Sequence, residues 1–339
     1  MAEAFTDETL VGLTLSCIDA HPDSLRFRPV HTGKHNSSYW VESELGRFVL
    51  RIAPPDDAGF LFYERLMMRQ EPDLHALIRA ETSLPVAEII GYDFSRTRVP
   101  RDYLLMRALP GTPVSEVYGV ASLGSGLAAP SSEAGMARSQ FHRALYQVGQ
   151  YLRELHTLTA VETLGTATFG YLGPHHPMEP QPTWAEAFHV MWNRLLDDVV
   201  ACGGYALDEA QVMRNLLDGY IGVFDRPVSS SLLHMDVWSQ NILVDGEGNV
   251  TGLVDFDRAL WGDVEIEFAV LDYCGVSEPP FWAGYGVPRD TSPAAQIRRR
   301  FYLLYEVQKY IPICMWRRDD PVGAARYKQQ SFALAAELM

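Results

Sequence analysis

Long apolar runs are missing from this 339-residue chain. None approaches the roughly 18 to 20 residues that a membrane-spanning helix needs, so no membrane partner is expected. The opening residues, MAEAFTDETL, lack a basic stretch followed by an apolar one, so no signal peptide is expected. Cysteine is scarce. Cys17, Cys202, Cys274 and Cys314 stand far apart, with no CxxC pair and no Cys/His cluster at metal spacing. That excludes zinc-ribbon and disulfide-framework readings and fits reduced thiols in a cytoplasmic protein. Positive charge is short as well: 28 Lys and Arg against 43 Asp and Glu give a net charge of −15. Such a balance argues against nucleic acid as a partner. No GxxxxGK[ST] loop and no GxSxG elbow occurs, which removes P-loop enzymes and serine hydrolases of the elbow type.

What remains is a chain that can fold. Hydrophobic residues make up 47% and charged residues 21%, enough apolar surface for a full core. The first third reads as mixed α/β. Residues 39–52 suggest two strands around a tight turn at Glu44–Gly46. Residues 58–82 carry a helical pattern, with Pro72 in the first turn of a second helix. Residues 86–94 and 102–109 suggest two more strands, and Pro110-Gly111-Thr112-Pro113 marks a seam. The expected division is therefore 1–108 and 109–339. The second part is mostly helical, with helices expected at 137–158, 183–201, 207–223, 264–275 and 294–316, and a surface loop at 119–135. By count it holds 16 basic and 27 acidic residues, a net of −11, against −4 for the first part.

A β-like island, LLHMDVWSQNILVDGEGNVTGLVDFD (232–257), interrupts the helices. It holds His234-x-Asp236-x4-Asn241, a turn at Asp245–Asn249, and then Asp255. Phosphoryl transfer wants this set. Its transition state is mostly charge, so the protein must position groups and neutralise oxygens. Asp236 is placed to take the proton of an acceptor hydroxyl. Asn241 and Asp255 offer hard oxygens for Mg²⁺, and a hairpin between them would set them side by side. His234 reads as a brace for the loop.

The same segment, with GLVDFDRALWGD, resembles the aminoglycoside phosphotransferase and choline kinase-like family. The resemblance runs across nearly the whole chain. His31-Thr32-Gly33-Lys34-His35-Asn36-Ser37 is similar to the family's nucleotide-covering loop. Phe48 to Ile52 is similar to its third strand, Leu84-Pro85-Val86 to the turn after helix C, and Tyr103 to Gly111 to its hinge. The resemblance implies an α+β, protein kinase-like fold with a small β-rich N-lobe and a larger helical C-lobe. It implies Asp236 as catalytic base and Asn241 and Asp255 as Mg²⁺ ligands, with ATP or GTP as co-substrate. Asn36, Ser37 and Arg51 would meet the phosphates, and the backbone of Met106, Arg107 and Ala108 the adenine. Glu71 or Glu64 would pair with Arg51. Asp257 would add an acid near the metal or acceptor, or cap its turn. A peptide-docking segment after Asp257 is absent, which turns attention to small acceptors.

The expected acceptor is a cationic, hydroxylated small molecule such as an aminoglycoside antibiotic, touched by Asp257, Glu265, Glu267 and Asp272. Trp184, Trp192 and Trp238 are either its pocket or core. The competing readings are a metabolic kinase acting on an amino alcohol, amino acid or sugar, a nucleotide-binding pseudokinase, and a nucleotidyl transferase on the same fold. Either a monomer or a dimer is compatible with this reading.

Overall fold

The computed structural model describes residues 4–30, 36–56, 59–118, 132–172 and 178–339. Helix α1 (Asp7–Leu15) leads into β1 (Arg26–Pro29), β2 (Ser37–Ser43) and β3 (Gly46–Ile52), then α2 (Glu71–Glu81), β4 (Ile89–Asp93) and β5 (Tyr103–Arg107). The five strands form one antiparallel sheet in the order β1-β2-β3-β5-β4. The expected hairpin is β2–β3, and Gly46 sits in its turn at φ +115°, a conformation that glycine adopts without a Cβ penalty. Phe48, Leu50 and Ile52 alternate inward onto Leu10 and Leu13 of α1, which leaves Arg51 on the opposite face.

After the sheet come β6 (Thr112–Pro113), α3 (Val114–Val117), α4 (Ser132–Leu155), α5 (Ala160–Leu164), β7 (Gly170–Tyr171), α6 (Trp184–Ala201) and α7 (Leu207–Tyr220). Then follow β8 (Ser231–Leu233), β9 (Ile242–Val244), β10 (Val250–Leu253) and β11 (Leu260–Gly262). The chain closes with α8 (Val264–Tyr273), α9 (Pro279–Tyr285), α10 (Pro293–Gln308), α11 (Tyr310–Ile313) and α12 (Pro321–Ala336). Phe141, Leu145, Val148, Leu152 and Leu155 form the buried stripe of α4. Thr183 caps α6 by accepting from Glu186 N–H, and Asp263 caps α8 by accepting from Glu265 N–H. The loop expected at 119–135 falls for 119–131 outside the described residues, and its last four residues belong to α4.

One expectation is corrected here. Residues 60–66 are not a helix but an irregular strap. Leu61 and Tyr63 plunge into the core of the helical part beside Tyr171 and Trp184, which a regular helix on the sheet could not do. Two contacts fix it. Phe62 N–H donates to Asp198 Oδ2 at 2.7 Å, and Arg317 pairs with Glu64 while its Nε donates to the Gly59 carbonyl at 2.9 Å. Glu64 is thereby occupied away from Arg51. Trp184 and Trp192 are core residues, fully buried among Phe188, Phe224 and Phe301, so neither lines a pocket. Helices α1, α3, α5, α9 and α12 have no counterpart in the sequence expectations.

Two predictions follow from this packing. Helices α4 and α9 meet through Gly149 and Gly284, and a Cβ on Gly284 would overlap the Tyr146 carbonyl oxygen. Gly284→Ala should cost about 2–3 kcal/mol in urea denaturation. Gly219→Ala, in open space on α7, should be neutral or stabilising by up to about 1 kcal/mol. Equal effects would refute the close crossing. Burial pushes the Asp198 carboxyl up to about 6. The folded state then holds that proton more tightly than the unfolded chain, whose Asp titrates near about 4, so this group's contribution to stability falls as pH rises between the two values. Asp198→Asn keeps an acceptor for Phe62 and removes the slope. Its melting temperature relative to the native chain should rise from pH 4.5 to pH 7, and a constant gap would count against the assignment.

Candidate active site

The island folds as β8, an eight-residue loop, and the hairpin β9–β10, whose pairing is extended by Val254 N–H donating to the Asn241 carbonyl at 3.0 Å. Asn241 and Asp255 therefore stand side by side. His234 is buried and braces the loop at both ring nitrogens. Asp236 N–H donates to Nδ1 at 3.2 Å, so Nε2 carries the proton and donates to the Val254 carbonyl at 3.2 Å. Burial lowers the pKa of this imidazole and keeps it neutral. Asn241 Nδ2 donates to the Asp236 carbonyl at 2.9 Å and to Asp236 Oδ2 at 3.0 Å. That orientation leaves Asn241 Oδ1 and Asp255 Oδ2 without partners among the described residues, two hard oxygens on one side of the hairpin.

Two residues of this site take left-handed backbone, Met235 at φ +67° and Asp255 at φ +70°. Neither is glycine, so each turn needs support. Under Met235 it comes from Glu267. That carboxylate is wholly buried and accepts from His234 N–H at 3.0 Å, Met235 N–H at 2.7 Å and the His156 ring at 3.0 Å. Burial alone would raise its pKa, but the bond from His156 and the amides outweigh burial and hold it ionised.

Arg51 joins the sheet to this loop. Its NH1 donates to Glu71 Oε2 at 2.5 Å, and its NH2 to Asp255 Oδ1 at 2.8 Å and, longer, to Asp257 Oδ2 at 3.4 Å. Glu71 opens α2, just ahead of Pro72. Gln70 adds a second link, donating to the Asp257 carbonyl at 2.7 Å. Three carboxyls thus surround one guanidinium. Glu71 and Asp257 are buried, and burial together with the neighbouring Asp255 holds both above the usual carboxylate range. This surplus of negative charge suits a divalent cation at the free oxygens of Asp255 and Asn241.

Asp236, by contrast, keeps a low pKa. Burial would raise it, but Arg258 and Lys309 outweigh burial. Arg258 NH1 donates to Asp236 Oδ1 at 3.1 Å. Arg258 was not among the expected site residues, although an arginine one residue beyond Asp257 and three beyond Asp255 is a signal for it.

Other expected residues are placed differently. On α8, Glu265 is held by Arg298 through two bonds of 2.7 and 2.8 Å and by Arg226. Asp272 is held by Arg289 and Arg299. Both lie on the far side of the loop, where Glu265 lines a cavity of about 390 Å³, and Glu267 is sealed beneath it. All three carboxylates are engaged by these protein partners. Asp257 stays in the cluster and lines a second cavity, of about 290 Å³, with Asn36 and Met67. Ser37 begins β2 opposite Ile52, next to the Ser38–Arg51 pair. His31 to His35 lie outside the described residues. Met106 is buried in the sheet. The amides of Arg107 and Ala108 are used up, donating to the Glu88 and Arg47 carbonyls at 2.8 and 3.0 Å, so neither can donate to an adenine. Leu109 is the first residue beyond β5 whose amide has no partner among the described residues.

With this geometry in view, comparisons with known proteins are informative. The sequence profile of the phosphotransferase enzyme family matches residues 26–301. A protein named as a probable ketoamine kinase, from Vibrio parahaemolyticus, is 27% identical over 172 residues, covering 48% of this chain and 55% of that protein. The hygromycin-B 4-O-kinase of Escherichia coli is 29% identical over 120 residues, covering 33% and 32%. The chain spans about half the length of the first curated relatives it matches. The crystal structure of the aminoglycoside phosphotransferase APH(4)-Ia superposes with a TM-score of 0.64 at 17% identity, covering 98% of this chain and 99% of that one. The fold is the two-lobed, protein kinase-like fold of that enzyme.

Glu267→Gln tests the loop anchor. An amide there must present an N–H to one of its donors, so a cost of about 2–4 kcal/mol in chemical denaturation is expected. A loss under 1 kcal/mol would mean the carboxylate does not hold the Met235 turn.

Proposed function

The chain belongs to the phosphotransferase enzyme family, and from that premise we propose that it moves the γ-phosphate of ATP or GTP to a hydroxyl of a small molecule. One observation carries the reading: Asp236, Asn241 and Asp255 converge on one side of a hairpin, with Arg51 held against them from the sheet. Asp236 is ionised, orients the acceptor hydroxyl and takes its proton. Asn241 Oδ1 and Asp255 Oδ2 would hold Mg²⁺, which supplies charge neutralisation at the phosphate oxygens. Arg51, fixed by Glu71, presents a permanent charge to the phosphates. The Leu109 amide takes the adenine contact in place of Arg107 and Ala108.

The acceptor we propose is an amine-bearing polyol, first an aminoglycoside. The likeness to the hygromycin kinase and to APH(4)-Ia supports it. A ketoamine or amino sugar is the second reading, favoured by the ketoamine kinase relatives.

An ADP-release assay with Mg²⁺, ATP or GTP, and a panel of hygromycin B, other aminoglycosides and fructosamines tests this. Asp236→Asn should lower kcat by about 10²- to 10⁴-fold while Mg²⁺-nucleotide still raises the melting temperature. Unchanged turnover in Asp236→Asn would sink the mechanism. Pyrophosphate in place of ADP would indicate nucleotidyl transfer, and nucleotide binding without turnover of any acceptor a pseudokinase.

A further inference from the structure

Behind Asp236 lies a row of charges that the reading above does not use. Arg258 gives NH1 to Asp236 Oδ1 at 3.1 Å and NH2 to Glu306 Oε2 at 3.2 Å. The other oxygen of Glu306 pairs with Lys309, three residues on and just past the end of α10. Arg258, Glu306 and Lys309 are 6%, 1% and 4% exposed, whereas the Asp236 side chain is 26% exposed. The row therefore alternates in sign, sums to zero, and reaches solvent only at Asp236. Burying three charged groups is costly unless each is paired, and here each has its partner.

The geometry of Arg258 shows what the row does. Asp236 has two oxygens, and Asn241 holds one of them. The second depends on where the Arg258 fork points. Its Nε makes no hydrogen bond, and its ring neighbour Tyr63, 5.5 Å from the guanidinium carbon, gives attraction without direction. The fork's charged contacts are Asp236 itself and Glu306, with the Tyr171 hydroxyl as a neutral third partner. Glu306 in turn sits on a rigid helix packed against α8 and α12. Lys309 offsets the charge that Glu306 would otherwise bury alone.

We propose that Glu306 and Lys309 are positioning residues for Asp236: Glu306 aims the Arg258 guanidinium at Asp236 Oδ1, and Lys309 makes a buried carboxylate tolerable there. The proposal rests on Asp236 being the group that meets the acceptor hydroxyl. The row reaches from α10 to the loop and fixes the carboxylate plane from behind, as Asn241 does from the side. A misplacement of about 1 Å at such a group lowers turnover as much as a hundredfold.

The test is the charge-balanced pair Glu306→Leu with Lys309→Met. It removes one charge of each sign and the acceptor at position 306, so the fold keeps its electrostatic balance while Arg258 loses its charged guide. Expected are a melting temperature close to native, a KM for Mg²⁺-ATP within twofold, and a kcat ten- to a hundredfold lower. Lys309→Arg, which preserves the pairing, should retain kcat. In the crystal structure of the double variant, Arg258 should leave Asp236 Oδ1. An Arg258 still at hydrogen-bond distance overturns the proposal whatever the acceptor is, and so does a native kcat. If the double variant does not fold, Glu306→Asp keeps the charge and withdraws it by one methylene. A lower kcat at constant KM supports the proposal, and an unchanged kcat overturns it. Failure of the underlying reading looks different, because Asp236→Asn would then leave turnover intact.

Discussion

One guanidinium holds the two parts of the site together. Arg51 leaves the face of the sheet opposite its apolar core, reaches Glu71 at the start of α2, and reaches Asp255 beyond the hairpin. A lysine could make one of these contacts but not both in one plane, because only the fork presents parallel donors at fixed spacing. Placing α2 and the Asp255 turn therefore depends on β3 having its present register. A slip by one residue would turn Arg51 into the core and expose Leu50 or Ile52.

The contact also explains why the site is rich in negative charge. Three carboxyls share one cation, and two of the three are buried. A protein that needed only stability would replace this set by apolar residues. The strain points the same way. Left-handed backbone at Met235 and Asp255 costs energy in non-glycine residues, and Glu267 and His156 are committed below the loop to hold one of those turns. Charge surplus and strained backbone coincide at one end of the hairpin, which is the pattern expected where positioning outweighs stability.

Much of this could be read from the sequence where the information is local. The β2–β3 hairpin is written in its alternation and in Gly46, the stripe of α4 in its spacing, and the neighbourhood of Asn241 and Asp255 in the length of the turn between them. What could not be read depends on partners distant in the chain. The strap at 60–66 has a helical pattern, yet Leu61 and Tyr63 find a deeper burial against α6, more than 100 residues later. The hinge amides of Arg107 and Ala108 are taken by Glu88 and Arg47 because β5 lies between β3 and β4, and no property of the hinge segment states that order. Glu71, rather than Glu64, meets Arg51 because Arg317 claims Glu64 from the other end of the chain.

The same lesson applies to the charge of the helical part. A net of −11 for residues 109–339 suggests an acidic surface for a cationic acceptor. The structure distributes that charge otherwise. Asp263, Glu265 and Asp272 are bound to Arg226, Arg289, Arg298 and Arg299, and Glu306 to Arg258 and Lys309. Paired charges contribute little field at a distance and no free contact nearby. Net charge can still favour the approach of a cation over that of an anion. Grip, however, must come from groups that are unpaired when the acceptor arrives, and Asp236 itself is paired with Arg258.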